Sequence, residues 1–169
     1  MGNEYDLSCE EGVSPLITEE ELRADCDLVL EREAGGRPCM VSVSLVSEER
    51  IRALNDAWRD VDAATDVISL ECERPDDPSL APGEPCELGD IVLAPAFIAR
   101  QAAAFGTTEA DEFRLLLTHG LLHLLGYDHL EEDEARQMEA REEELLALMP
   151  CDEPITGVVL TRHREDVVA

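Results

Sequence analysis

HGLLHLLGYDH, residues 119–129, gathers three of the chain's four histidines into one short apolar stretch. Residues four apart on a helix stand one turn apart on the same face, so His119 and His123 can share one ion if the segment is helical. The sequence before it predicts a helix: Thr108 is a cap residue followed by Glu109 and Asp111, and apolar positions run from Phe113 through Leu116 and Leu117 to Leu125. Gly126 ends that helix. A glycine there frees the backbone from helical geometry and can swing His129 back toward the other two rings. Three imidazoles on one Zn²⁺ leave the fourth tetrahedral position open, as catalytic rather than structural sites do. A single histidine on an apolar helix is ordinarily packed or solvated. Three at this spacing predict a metal site of His119, His123 and His129, with His163 as a solvated surface residue.

Working outward, the rest of the chain supplies a scaffold. Residues 4–9 alternate weakly, with Tyr5, Leu7 and Cys9 on one side, which allows a short strand. Thr18 to Glu21 form a capping box for a helix that should stop by Gly35 and Gly36. CMVSVSLV (39–46) alternates as a half-buried strand, and Ser47 caps a helix with Ile51, Leu54 and Trp58 near one face. DVISL (66–70) is a further strand. A long loop over 71–88, with four prolines and one glycine, then leads to GDIVLA (89–94), a strand followed by a helix with Pro95 in its first turn. An acidic helix spans about residues 130–149, its Met138, Leu145 and Leu148 predicted to pack on the body. The resulting class is α/β (α+β-like): one domain over residues 1–150, about four strands in a small mixed sheet packed with helices, and a loosely held tail over 151–169.

Composition narrows the function classes. The chain carries 40 acidic against 13 basic residues, a net charge of -27, and every basic residue is arginine. Such a surface repels nucleic acid unless a metal or particular arginines draw it in locally. Acidic residues crowd 1–33 and 131–144, and 88–130 holds few, which predicts that the repulsion lies away from the histidines. The acidic start of the chain has no signal-peptide pattern, no apolar run is long enough for a membrane span, and the six cysteines show no metal or disulfide spacing. The expectation is a cytoplasmic protein with reduced thiols and no membrane or DNA partner.

The spacing H-x3-H-x5-H with an intervening glycine is the ligand layout of metzincin zinc peptidases, H-E-x-x-H-x-x-G-x-x-H. In those enzymes glutamate follows the first histidine and serves as general base. Here that position is Gly120, which disfavours peptide hydrolysis and leaves the metal in place.

HGLLHLLGYDH also resembles the signature of the YbeY family, bacterial zinc-dependent endoribonucleases of rRNA maturation, which reads H-G-x-L-H-L-x-G-Y-D-H. Leu54-Asn55 with Arg59, Thr65-Asp66-Val67, Leu88 to Val92, and Met138 with Glu142 resemble further motifs of that family in the same order, over roughly residues 20–148. Two departures stand out: Ser69-Leu70-Glu71 replaces S-F-P, and a basic residue between Arg59 and Thr65 is missing.

The resemblance implies one Zn²⁺ on His119, His123 and His129. It also implies cleavage of single-stranded RNA in maturing the 3′ end of small-subunit (16S) rRNA, a part in ribosome quality control, and partners in the small ribosomal subunit and its assembly factors. It gives Arg59 the role of the family's cavity arginine, binding substrate and serving catalysis. A guanidinium there could hold a phosphate bidentately and stabilise developing charge. From the residues alone Arg59 is a surface arginine at a helix end. Asp128 has two readings, a carboxylate orienting a ligand histidine or the cap of the next helix. Two rival functions stay open: an assembly factor with a chiefly structural zinc, and a zinc hydrolase of another bond.

Overall fold

The computed structural model describes residues 2–156. In chain order the elements are β1 (Glu4–Cys9), α1 (Glu19–Glu33), β2 (Cys39–Leu45), α2 (Glu48–Arg59), β3 (Val67–Glu71), β4 (Cys86–Leu93), α3 (Pro95–Phe105), α4 (Glu109–Leu124) and α5 (Glu132–Leu146). The caps form as the sequence dictates. Glu21 donates its backbone N–H to Thr18 Oγ1 at 3.0 Å while Thr18 donates its own to Glu21 Oε1 at 3.1 Å, and Ser47 and Thr108 cap α2 and α4. The expectations for His163 and most of the 151–169 tail fall outside the described residues. Within 151–156, Asp152 and Glu153 donate their backbone N–H groups to the Asp111 carboxylate, and Ile155 is buried.

The four strands form one sheet in the order β1-β2-β4-β3. β1, β2 and β4 run parallel, and β3 pairs antiparallel with β4 at the edge. This is the single α/β domain with a mixed four-stranded sheet that the pattern predicts. Alternation along the strands assigns the faces. Val41, Val43, Ile91 and Leu93 enter the main core with Leu22, Cys26, Val29 and Leu30 of α1 and Phe113, Leu117, Leu121 and Leu124 of α4. Ile68 and Val92 point the other way, against Ile51 of α2.

β4 starts at Cys86, three residues before the expected Gly89, because a bulge breaks the alternation that would have revealed it. Gly89 makes that bulge possible: its φ is +143°, and a Cβ there would lie 2.1 Å from the Leu70 carbonyl oxygen. Two apolar side chains stand exposed where the helical pattern placed them with buried ones. Trp58 is 48% exposed, since only the earlier turns of α2 lie over Ile68 and Val92 and the last turn overhangs. Leu148 is also exposed while Leu146 and Met149 are buried. After Leu146 the chain tightens into hydrogen bonds three residues apart, from Leu148 to Leu145 and from Met149 to Leu146, which turns Met149 inward.

One buried charge cluster joins α1 to α4. Arg114, its side chain 3% exposed, donates from Nε to Asp25 Oδ2 at 2.9 Å and from Nη2 to Glu21 Oε2 at 2.5 Å. Burial works to lower the Arg114 pKa, and the charges and hydrogen bonds of Asp25 and Glu21 outweigh it, holding the guanidinium charged. Burial also raises the Asp25 carboxyl, and Arg114 opposes that rise. Among the described residues no helix is long and apolar enough to cross a membrane.

Candidate metal centre

α4 ends as its sequence requires, with Gly126 at φ +105° and the Tyr127 N–H returning to the Leu122 carbonyl. That turn folds residues 127–129 back over the last helical turn. The three imidazoles consequently converge: one ring nitrogen from each of His119, His123 and His129 lies within 4.8 Å of the others. His119 Nε2 and His123 Nε2 are 3.1 Å apart, and the His129 ring stands 5.4 and 5.0 Å, centroid to centroid, from the other two.

What surrounds the rings fixes which nitrogen is free. His119 Nδ1 lies 3.3 Å from Glu142 Oε2, on a carboxylate only 4% exposed, so its proton sits on Nδ1. His123 donates from Nδ1 to the Tyr127 carbonyl at 3.1 Å. Both Nε2 lone pairs are then left facing each other at a separation that repels two neutral rings and suits two ligands of one cation at metal–nitrogen distances of about 2.0–2.1 Å. The donor set therefore fits a borderline-soft divalent ion such as Zn²⁺.

Electrostatics agree. Burial, followed by the charges of His119 and His129, pushes His123 down to about 4, so it is neutral and ready to ligate at pH 7. Burial works to lower His119 as well, but Glu142 through its charge and hydrogen bond, with Asp66 and Glu139, leaves its pKa raised. Carboxylates thus gather at the centre, and the expectation that acidic charge lies away from the histidines is wrong. α5 packs on α4, which carries Glu139 and Glu142 to the rings.

Glu142 is the residue whose role the sequence concealed. Its signal was its phase: Ala135, Met138, Glu142 and Leu145 form the buried face of α5, so one carboxylate occupies an apolar position of an acidic helix. Asp128 is not the cap of α5, and its charge acts on a ligand histidine, opposing the fall of the His123 pKa. Its Oδ1 accepts the backbone N–H of His129 at 2.7 Å, shaping the ligand loop, and Glu131 is the N-cap residue of α5. Tyr127 donates its hydroxyl to Glu33 Oε2 at 2.9 Å, and Arg141 donates to the other Glu33 oxygen, so one α1 carboxylate anchors both the ligand loop and α5.

β3 closes the centre's other side. Asp66, at its start, accepts from the Val67 N–H and from Gln101 Nε2, and Ser69 Oγ donates to the Gly120 carbonyl at 3.4 Å. A Cβ at Gly120 would lie 3.2 Å from Ser69 Oγ and 3.3 Å from Ile91 Cγ2, which explains the residue that departs from the peptidase pattern. The helix lies too close to the sheet for a glutamate. Gly120→Glu should lose about 1–3 kcal/mol from overpacking alone, and more from burying the carboxylate. Thermal unfolding and a peptide-hydrolysis assay check this; a stable variant that cleaves peptides would refute it. Arg59 is exposed at the C-terminal end of α2, seven residues before Asp66, and makes no ion pair among the described residues.

A parallel sheet with an antiparallel edge strand, laid over a helix and a glycine turn that converge three imidazoles, defines a class: small α/β proteins with a three-histidine metal-type centre. The chain belongs to the YbeY endoribonuclease family, whose model, described as Endoribonuclease YbeY, matches residues 10–149. It is 39% identical over 152 residues to Endoribonuclease YbeY of Stutzerimonas stutzeri, covering 89% of this chain and 90% of that one. It is 43% identical over 126 residues to the protein of the same name from Halorhodospira halophila, covering 72% and 78%. Among solved structures it is similar to the solution structure of TM1509 from Thermotoga maritima, with a TM-score of 0.60, 26% identity, and 96% and 93% of the two chains covered.

Proposed function

We propose that this chain is a zinc-dependent endoribonuclease that cuts single-stranded RNA and serves in the cytoplasm to mature the 3′ end of small-subunit rRNA, with a part in ribosome quality control. The observation that carries the reading is the pair of facing Nε2 atoms 3.1 Å apart, each left free because its ring's Nδ1 is engaged. Kinship with proteins named as endoribonucleases supports the substrate class.

His119, His123 and His129 hold the ion, Glu142 and the Tyr127 carbonyl orient two of the rings, and Asp128 shapes the loop that presents the third. A Zn²⁺ bound there supplies Lewis-acid polarisation of a phosphoryl oxygen and an activated nucleophile near neutral pH. Arg59, exposed and without an ion-pair partner among the described residues, binds a phosphate and stabilises negative charge developing on it. The absence of a peptidase's glutamate at Gly120 fits a phosphodiester substrate.

The test is cleavage of a single-stranded RNA by the purified protein, with the same sequence as duplex RNA and as single-stranded DNA for comparison. Cutting of the single-stranded RNA alone, abolished by chelation and restored by Zn²⁺, is the expected result. Cleavage indifferent to chelation, or equal in an Arg59→Ala, His123→Ala double variant, would overturn it. Retention on small-subunit precursors without any cutting would favour the assembly-factor alternative.

A further inference from the structure

A protein of net charge -27 must place its few cations with care if it is to hold a polyanion. Between Arg59 and Arg136 the sequence offers only Arg74, Arg100 and Arg114. Arg114 is buried between Asp25 and Glu21, and Arg100 grips Glu48 with both terminal nitrogens. Arg74 differs. It is half exposed, and its one ion pair among the described residues runs from Nη2 to Glu71 Oε2 at 3.2 Å, on a carboxylate that is itself half exposed. Such a surface pair is weak and easily exchanged.

The position of Arg74 follows from the path of β3 along α4. Asp66 before the strand lies at the His119 end, Ser69 within it contacts Gly120, and Arg74, three residues past its end, lies against Gly126. A Cβ at Gly126 would sit 2.9 Å from Arg74 Nη1 and 3.2 Å from its Cζ, so the guanidinium rests on the bare backbone of the turn between His123 and His129. Arg37 steadies the loop that carries it, donating from Nε to the Pro75 carbonyl at 2.8 Å and from Nη1 to the Ala81 and Glu84 carbonyls. A cation is thereby held beside the ligand turn, at the end of β3 opposite Asp66, with Nε and Nη1 uncommitted to any acceptor among the described residues.

We propose that Arg74 is a substrate-binding residue that grips a backbone phosphate of single-stranded RNA lying along β3, on the Gly126 side of the three histidines. This rests on the endoribonuclease reading. In taking a phosphate, the guanidinium exchanges Glu71 for a doubly acceptor partner that its planar fork matches. Because Arg74 rests on the turn between His123 and His129 and not on a ring, the phosphate it holds lies beside the scissile one, so Arg74 acts on binding and not on the bond that breaks.

The experiment compares wild type, Arg74→Ala, Arg74→Lys and Glu71→Gln as zinc-loaded proteins cutting a short single-stranded RNA over a range of salt concentrations. Arg74→Ala should raise KM about 10-fold, the scale of one charged hydrogen-bonded contact, and leave kcat and the melting temperature unchanged. The slope of log KM against log salt should fall by about 0.7, one phosphate's share for a single strand. Arg74→Lys should keep most of that slope, and Glu71→Gln should lower KM by freeing the guanidinium. A wild-type enzyme that cuts RNA with KM and salt slope indifferent to Arg74→Ala would overturn the proposal and spare the endoribonuclease reading. A loss confined to kcat would overturn it too, by showing that Arg74 only shapes the ligand turn. Wild type that neither binds nor cuts RNA would remove both.

Discussion

His123→Ala should lose its metal altogether under dialysis, with affinity down by more than about 100-fold, beyond the 10–100-fold typical when only an outer partner of a ligand is removed. RNA cleavage should vanish with it. The sharper measurement is the pH dependence of metal affinity by titration calorimetry. A metal must displace any proton on a ligand nitrogen. His123, pushed down to about 4, contributes no such competition near neutrality. His119, raised above its ordinary 6.5, does. Above its pKa the ring is neutral and affinity is flat; below it, affinity falls by up to tenfold per pH unit, so the decline should begin on the alkaline side of 6.5. Glu142→Gln removes the carboxylate that contributes most to that rise. It should cost about 10–100-fold in affinity at high pH and move the onset of the decline to lower pH. An unchanged onset would mean that Glu142 only packs α5 against α4.

Arg114→Ala should destabilise the fold by about 3–5 kcal/mol, the cost of leaving a buried charge without its partner. For a chain of this size that corresponds to a fall in melting temperature of roughly 10 °C. The exposed partner, Glu21, can turn to water, but Asp25 cannot, its side chain being 4% exposed. Without Arg114 the burial that raises the Asp25 carboxyl acts unopposed. A carboxyl whose folded-state pKa is raised takes up protons on folding, so the variant's deficit should shrink as pH falls through that pKa. Adding Asp25→Asn should recover part of the loss at neutral pH. A single variant as stable as wild type would show that the cluster is not desolvated as the fold implies.

The histidine stretch was readable because its information is local. Spacing on one helix and a glycine at its end suffice to converge three rings, and no distant residue is needed to see it. Caps at Thr18, Ser47 and Thr108 were readable for the same reason. What escaped depended on other elements. Trp58 has the right helical phase to pack, but only the sheet's extent shows that α2 overhangs. β4 was shortened because the bulge at Gly89 erases the alternation that marks a strand, and its cause, the Leu70 carbonyl, lies on another strand. Glu142 could be flagged by its phase, but its partner is 23 residues away. The gathering of acidic charge at the rings was misjudged because counting charges along the chain ignores how α5 folds back.

Glu33 gives the centre a history as well as a shape. Its carboxylate, from the first helix, meets Tyr127 and Arg141 across 94 and 108 residues of sequence. The loop bearing His129 is thus anchored by the chain's first third, and the carboxylate that orients His119 arrives on α5. A growing polypeptide has all three histidines in place before Glu142 has been synthesised. Until α5 emerges and docks, the His119 ring lacks the carboxylate that orients it. The centre's geometry is therefore complete only once α5 has folded back onto α4.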